Sequence, residues 1–149
     1  MLAKVQSVVE HALDSLEIQY GASHSELKIS ESGDIKLIEI GGRMGGDNIG
    51  ATLVRLSTGY DFLSGVIDVA LGIEPKVEIT DKGVAGIRFI FNEKDVEVLN
   101  RLKVENPEIL EEDDVHEITN TKVTDSGSRF GYFLFASKDK KIIDKYMPD

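Results

Sequence analysis

Apolar positions recur at helical spacing near the start of the chain. Residues 4–18 carry valine, alanine and leucine three or four positions apart, with polar residues between them, and this period predicts an amphipathic helix that ends near Gly21. Two short runs of strand-forming residues follow at 22–30 and 35–40, separated by Glu-Ser-Gly-Asp. Because serine, glycine and aspartate favour turns, these runs predict a β-hairpin.

A glycine-rich segment follows the hairpin. Residues 41–50 read GGRMGGDNIG, with five glycines in ten positions, which is too many for the interior of a helix or strand. We expect a loop whose backbone comes close to a ligand or to another part of the chain. Two helices are predicted next, at 49–57 and 62–72, the second capped by Asp61 and closed by Gly72.

The pattern changes after Glu74-Pro75, and the change predicts two domains, 1–75 and 76–149. The second contains a strand at 84–91, a helix at 95–103, an acidic stretch at 108–118, a strand at 131–137 and a terminal helix at 139–147. We therefore expect an α+β fold, in which an antiparallel sheet with flanking helices is followed by a small α+β end lobe rich in β-structure.

Composition limits the partners. The chain has 149 residues, 41% of them hydrophobic, so it can bury a core. Its formal net charge of -10 repels nucleic acid and anionic lipid, and we expect neither as a partner. The chain has no cysteine and its first residues lack the apolar centre of a signal peptide, so a cytoplasmic location is expected.

Two glutamates on the hairpin suggest chemistry. If residues 31–34 form the loop, Ser30 pairs with Ile35, and Glu26 falls directly opposite Glu39. Their β-carbons would then lie ~4.5 to 5.5 Å apart. Two facing carboxylates repel, and a divalent cation removes the repulsion.

The geometry alone leaves two alternatives open. Either the register differs, since a shift of one residue changes the facing of every side chain, or the strands form a solvated edge on which Lys28, Lys36 and water screen two ordinary surface glutamates. Arg43 favours a site, because it lies four residues after Glu39 in the glycine-rich segment, where a guanidinium can pair with phosphate or carboxylate oxygens.

Three segments resemble a known family. GASHSELKIS, IKLIEIGGRMGG and LSTGYDFLSGVIDVALGIEP occur in the order found in the carboxy half of ATP-grasp ligases, which include biotin carboxylase, the large subunit of carbamoyl-phosphate synthase and amino-acid ligases. The resemblance covers residues 3–75. It implies the carboxy half of an ATP-grasp fold.

The resemblance also implies roles for individual residues. In that family two acids on adjacent strands hold the magnesium ions that bridge the ATP phosphates, and the second acid begins a Glu-x-Asn-x-Arg motif. Glu26 matches the first acid, Glu39 the second and Arg43 the arginine, while Gly41 stands at the asparagine position. The implied metal ligands are Glu26 and Glu39, the implied cofactor-binding residues are these two and Arg43, and Arg43 is the implied catalytic residue.

The implied cofactors are ATP and Mg²⁺ or Mn²⁺. The implied activity joins a carboxylate to an amine or thiol through an acyl phosphate. The family also uses an amino-terminal lobe, so we expect this chain to be part of a longer enzyme and inactive alone, with small-molecule carboxylate and amine substrates and with a homodimer left open. The rival interpretation is a non-catalytic nucleotide- or ligand-binding module that retains the fold.

Two further residues draw attention. His24 shares a strand face with Glu26 and could orient a carboxylate, although a lone strand histidine more often has a structural role. Arg129 precedes the strand at 131–137, where a substrate-facing role is one interpretation.

Overall fold

The structure is a computed structural model that describes residues 1–80, 83–119 and 122–148. The chain divides into two compact units, Met1–Ala51 with Asp61–Val77, and Thr52–Tyr60 with Glu78–Asp149. The predicted boundary at residue 75 lies two residues before the end of the first unit, and residues 52–60 group with the second unit.

The first unit contains two longer helices and a hairpin. Its elements are α1 (Leu2–Ser15), β1 (His24–Ile29), β2 (Ile35–Gly41) and α3 (Phe62–Ala70). Helix α1 contacts β2 and ends at Ser15, six residues before Gly21. The predicted cap of α3 is present, since the Ser64 backbone N–H donates to Asp61 Oδ1 over 3.0 Å.

The hairpin register differs from the prediction at the turn and agrees with it at the far end. Ile29, not Ser30, pairs with Ile35, so the predicted pairing of Ser30 was wrong by one residue. A β-bulge then places an extra residue, Ile38, in β2. The two one-residue changes cancel, and Glu26 lies directly opposite Glu39 as predicted.

The segment predicted as one helix at 49–57 forms two kinds of helix. Ile49–Leu53 is a π-helical turn that continues into α2 (Val54–Thr58). Helix α2 ends at Gly59, whose φ of 75° is the left-handed conformation that glycine adopts readily.

The second unit is built on a three-stranded antiparallel sheet in the order β3-β5-β4. Its elements are β3 (Val84–Phe89), α4 (Glu93–Glu105), β4 (Leu110–Val115), β5 (Gly131–Ser137) and α5 (Lys140–Asp144). The strand predicted at 131–137 is present with the predicted ends, and the elements predicted at 84–91, 95–103 and 139–147 are present with shifted ends. The acidic stretch forms an edge strand, with exposed side chains along nearly all of its length.

The hydrophobic core lies in the second unit. The fully buried side chains come from α4, β5, α5 and the residues just after β3 and α5, and they are Ile90, Leu99, Leu102, Phe133, Leu134, Phe135, Ile143 and Tyr146. In the described part of the first unit only Gly50 and Gly65 are buried. The α+β class with antiparallel sheets is confirmed. Among the residues described, no helix is both long and apolar enough to cross a membrane.

Candidate functional site

The two glutamates share one face of the hairpin. Glu26 and Glu39 are paired across β1 and β2, and both are exposed. Leu27 and Leu37, the next pair, lie on the opposite face and are half-buried. The alternative register, which would have separated the two carboxylates, is therefore excluded.

This donor set suits a hard divalent cation. Directly opposed strand residues have β-carbons about 4.5 to 5.5 Å apart, so two carboxylates there can share one ion. Within the described ranges, no group of three or more histidine, cysteine, aspartate or glutamate side chains could hold a metal. The protein thus offers two carboxylates, and the remaining positions around an ion are left for phosphate oxygens and water, as magnesium commonly has them.

Two lysines extend the same face toward the turn. Lys28 and Lys36 are paired directly across the strands, and both are exposed. With Ser30 and Asp34 they line a surface cavity of about 580 Å³. The sequence interpretation treated these lysines only as screening charges, although their strand positions already placed them on the face of Glu26.

Arg43 lies beside the end of β2. Its Nη1 donates to the carbonyl oxygen of Met44 over 3.0 Å. A β-carbon built on Gly41 would lie 3.6 Å from Arg43 Cγ and 3.8 Å from its Nε, so the arginine side chain runs along this glycine. The guanidinium is exposed and near the strand that carries Glu39.

Gly41 is not required by backbone geometry. Its φ is not positive, and the contacts that a β-carbon would make there are ordinary van der Waals distances. Because Gly41 lies two residues beyond Glu39 on the same strand, a side chain at this position would project on the face of the glutamates.

His24 lies closer to the glutamates than the other two histidines. Its Nε2 is 3.6 Å from Glu26 Oε1. His11 bonds to Ser7 within α1, and His116 contacts Asp114 in the second unit. The structure therefore places His24 beside Glu26, the glutamate that pairs with Glu39 across the hairpin.

Arg129 has a contact that the sequence did not suggest. Its guanidinium carbon lies 3.8 Å from the centre of the Phe89 ring, within the second unit. Such a cation–π contact accounts for the position of the arginine without a substrate.

No protein-family model matches the chain, and no curated protein matches it. Among solved structures, it is similar to L-amino acid ligase from Bacillus licheniformis, with 22% identity over 97% of this chain and 38% of that chain and a TM-score of 0.72. It is also similar to phosphoribosylglycinamide synthetase from Anaerococcus prevotii, with 14% identity over 97% and 38% of the two chains and a TM-score of 0.74. N5-carboxyaminoimidazole synthetase from Staphylococcus aureus gives 16% identity over 97% and 36%, with a TM-score of 0.66.

These neighbours are ATP-grasp ligases. The chain has the fold of part of such a ligase, as the sequence resemblance predicted, and it spans about 38% of the length of the first two.

Proposed function

We propose that this chain forms the metal- and phosphate-binding part of an ATP-dependent ligase that joins a carboxylate to an amine or a thiol through an acyl phosphate. One observation carries the proposal: Glu26 and Glu39 face each other on adjacent strands within the fold of an ATP-grasp ligase. The pairing of the two glutamates and the fold of the similar structures are independent support. The pairing is observed in the hairpin of this chain and does not depend on the similar structures.

The chemistry divides between a bound ion and the chain. Mg²⁺ or Mn²⁺, when bound with ATP, would neutralise charge on the transferring phosphoryl group. Glu26 and Glu39 would hold the ion, and this would also remove the repulsion between them. The carboxylate substrate attacks the γ-phosphate, ADP leaves, and the amine or thiol then displaces phosphate from the acyl phosphate.

Arg43 is the group that we assign to the acyl phosphate. Its guanidinium is exposed, lies at the end of β2 and is held by one bond to a backbone carbonyl, so its other N–H groups can turn to a ligand. A planar fork of donors matches the oxygens of a phosphate or carboxylate. Donors placed in advance around a developing anion lower the barrier without reorganising.

An apolar stripe on the surface of the first unit supports the proposal of a further partner. Along and just beyond α3, Leu63, Ile67 and Leu71 repeat every four residues and are 39%, 52% and 69% exposed. Such a stripe normally faces another apolar surface. We propose that it packs against the amino-terminal portion of the ligase fold, which would also supply the groups that bind adenine, and that the chain by itself does not turn over ATP.

Metal binding is the direct test. Magnesium should raise the melting temperature of the purified chain as its concentration increases, because a ligand that binds only the folded state stabilises it. Glu39→Gln should remove this response and leave the metal-free protein at least as stable, since one of two opposed charges is gone. Glu31→Gln, an exposed glutamate in the hairpin turn, serves as the matched control and should respond like the wild type.

A wild-type chain whose melting temperature ignores millimolar Mg²⁺ and Mn²⁺ would contradict the metal site. Robust ATP hydrolysis by the isolated chain would contradict the need for a second lobe.

The rival function is a non-catalytic binding module, and Gly41 is the observation that favours it. Because the backbone accepts a side chain at this position, Gly41→Asn can restore the oxygen that the family motif carries. If the site binds metal, this variant should bind Mn²⁺ more tightly than the wild type. If the wild type and Gly41→Asn bind Mn²⁺ equally weakly, and Glu39→Gln does not change that affinity, the non-catalytic module is favoured.

A further inference from the structure

His24 links two parts of the proposed site. On one side, its Nε2 lies 3.6 Å from Glu26 Oε1, a distance for an electrostatic contact that is slightly too long for a direct hydrogen bond. On the other side, its Nδ1 faces the glycine-rich segment, where a β-carbon on Gly45 would lie only 3.0 Å away. The ring therefore sits between the first carboxylate and the segment that carries Arg43.

The two partners differ in freedom. The side chain of His24 is 24% exposed, whereas that of Glu26 is 56% exposed. The histidine is fixed by its strand and by the close approach of Gly45, while the glutamate can rotate into solvent. Because Glu39 repels Glu26 when no cation is present, an isolated Glu26 would favour rotamers that point away from its neighbour.

We propose that His24 is a positioning residue for the metal site, holding the Glu26 carboxylate toward Glu39 and fixing its orientation relative to the glycine-rich segment. The inference rests on the proposed function. A preset carboxylate loses less side-chain freedom when an ion binds, so the ion is held more tightly. Groups that orient a ligand in this way commonly change metal affinity when they are removed.

His24 acts in this role as a donor and not as a metal ligand. Magnesium prefers oxygen ligands, and within the described residues no third side chain of a metal-ligating type joins the two glutamates in a metal-binding group. To donate to Glu26, the neutral imidazole must carry its proton on Nε2. The nitrogen without a proton, Nδ1, then faces Gly45.

The close approach of Gly45 gives a second route to the same effect. A β-carbon on Gly45 would also lie 3.1 Å from Ile49 Cβ, so the backbone cannot easily move away from His24 to make room for it. Gly45→Ala should therefore displace the imidazole and disturb Glu26 without removing any polar group.

The test is Mn²⁺ binding to the purified chain, followed by the electron paramagnetic resonance signal of the free ion. His24→Leu replaces the imidazole by an apolar side chain of similar width and removes the donor, and we expect its dissociation constant for Mn²⁺ to rise roughly 10- to 100-fold. His24→Gln keeps an N–H near the position of Nε2 and should retain most of the wild-type affinity. Gly45→Ala should fall between the two.

The second unit offers a matched control. The Nε2 of His116 lies 3.1 Å from Asp114 Oδ2, so it also pairs with an acid two residues away. His116→Leu should leave Mn²⁺ affinity unchanged. Circular dichroism establishes that each variant is folded, and should His24→Leu fail to fold, His24→Gln and Gly45→Ala still report on the donor and on the packing.

Several outcomes would overturn the inference. Wild-type affinity in His24→Leu would show that Glu26 needs no orientation, while the metal site itself would stand. Equal weakness of His24→Gln and His24→Leu would exclude the donor role. An electron spin echo signal from a directly coordinated imidazole nitrogen would make His24 a ligand. Absence of Mn²⁺ binding in the wild type would remove the metal site, and this inference with it.

Discussion

The two units of the chain differ in where their stability comes from. All ten buried hydrophobic residues of the described chain lie in the second unit. The first unit buries only two glycines, yet it contains Glu26, Glu39 and Arg43. The candidate chemistry thus lies in the part of the molecule with the least buried apolar surface.

This difference suggests how stability and function are divided. Burial of apolar area is the main favourable contribution to folding, so the second unit should be the more stable of the two. Segments that bind ligands commonly belong to the less stable parts of a protein. An isolated two-stranded hairpin is marginally stable in water. Because the first unit buries so little apolar surface, we expect it to gain order when the proposed metal ion or amino-terminal lobe binds.

Gly131→Ala should cause the largest change in the free energy of unfolding. This buried glycine has a φ of +115°, and a β-carbon there would overlap the carbonyl oxygen of Asp114 on the paired strand. Backbone strain and steric overlap act together, and the loss in free energy of unfolding should exceed about 4 kcal/mol. Urea unfolding measures it.

Gly46→Ala in the first unit is the control for that substitution. Gly46 has no positive φ, and nothing lies within 4 Å of a β-carbon at this position. Its free energy of unfolding should change by less than about 0.5 kcal/mol. Similar losses in the two variants would mean that the two units are equally well packed, contrary to the comparison.

Asp95→Ala should have the next largest effect, because it breaks the buried ion pair of the second unit. Asp95 Oδ1 accepts from Arg88 Nε and Nη2 at 3.0 and 2.8 Å, and its Oδ2 accepts from the Phe91 N–H at 2.9 Å. The variant leaves the Arg88 guanidinium in the interior without its carboxylate, with only the bond from Nη1 to the Tyr146 carbonyl oxygen, at a cost of about 3 kcal/mol. Thermal or urea unfolding gives the value.

A second ion pair supplies the control. Lys103 and Asp113 also pair at 2.8 Å, but they are more exposed. Asp113→Ala should cost less than about 1 kcal/mol. If both variants lose the same amount, burial is not what makes the first pair important.

Tyr146→Phe should cost less, about 1 kcal/mol at neutral pH, through loss of a hydrogen bond. The Tyr146 hydroxyl donates to Asn106 Oδ1 at 2.8 Å and also lies 3.1 Å from Glu105 Oε2. Burial, followed by the hydrogen bond to Glu105, raises the pKa of Tyr146 above its ordinary value. The wild-type advantage is therefore complete below pH ~10 and is lost as pH rises through the higher folded-state pKa.

The difference in free energy of unfolding between wild type and Tyr146→Phe, followed from pH 7 to 11, tests this sign. Groups that titrate in both proteins cancel in the difference. An advantage that grows with pH would contradict the raised pKa.

Sequence patterns predicted the hairpin and its key pair, but not the register at the turn. The loop is one residue longer than predicted because Ser30 is drawn into it: the Asp34 N–H donates to Ser30 Oγ at 3.0 Å, and the Ser32 hydroxyl donates to Asp34 Oδ2 at 2.7 Å. The bulge at Ile38 then restores the pairing of the glutamates. Neither the longer loop nor the bulge changes the alternation of apolar and polar residues enough to be predicted from a single sequence.

The edge strand β4 was not predicted, because its acidic run has no apolar alternation. It forms through backbone pairing with β5 and through side-chain contacts from other elements. Lys103 of α4 pairs with Asp113, and the Tyr132 hydroxyl donates to Glu112 at 2.6 Å. Such compensation depends on tertiary contacts, which local propensity does not contain.

The smallest change in stability is expected at Ser25, on the hairpin of the first unit. Ser25 Oγ is buried, and it is the one buried side-chain polar atom without a hydrogen-bond partner within the described ranges. It lies on the face of β1 opposite Glu26, beside Ile40 of β2. An unsatisfied hydroxyl costs free energy, so Ser25→Ala should stabilise the hairpin by about 1 kcal/mol, seen as slower hydrogen exchange of its backbone amides.

Ser32→Ala, which removes an exposed and bonded hydroxyl, should give no gain. Destabilisation by Ser25→Ala would mean that water reaches and satisfies this hydroxyl, and the first unit would then be hydrated on both faces of its hairpin rather than weakly packed on one.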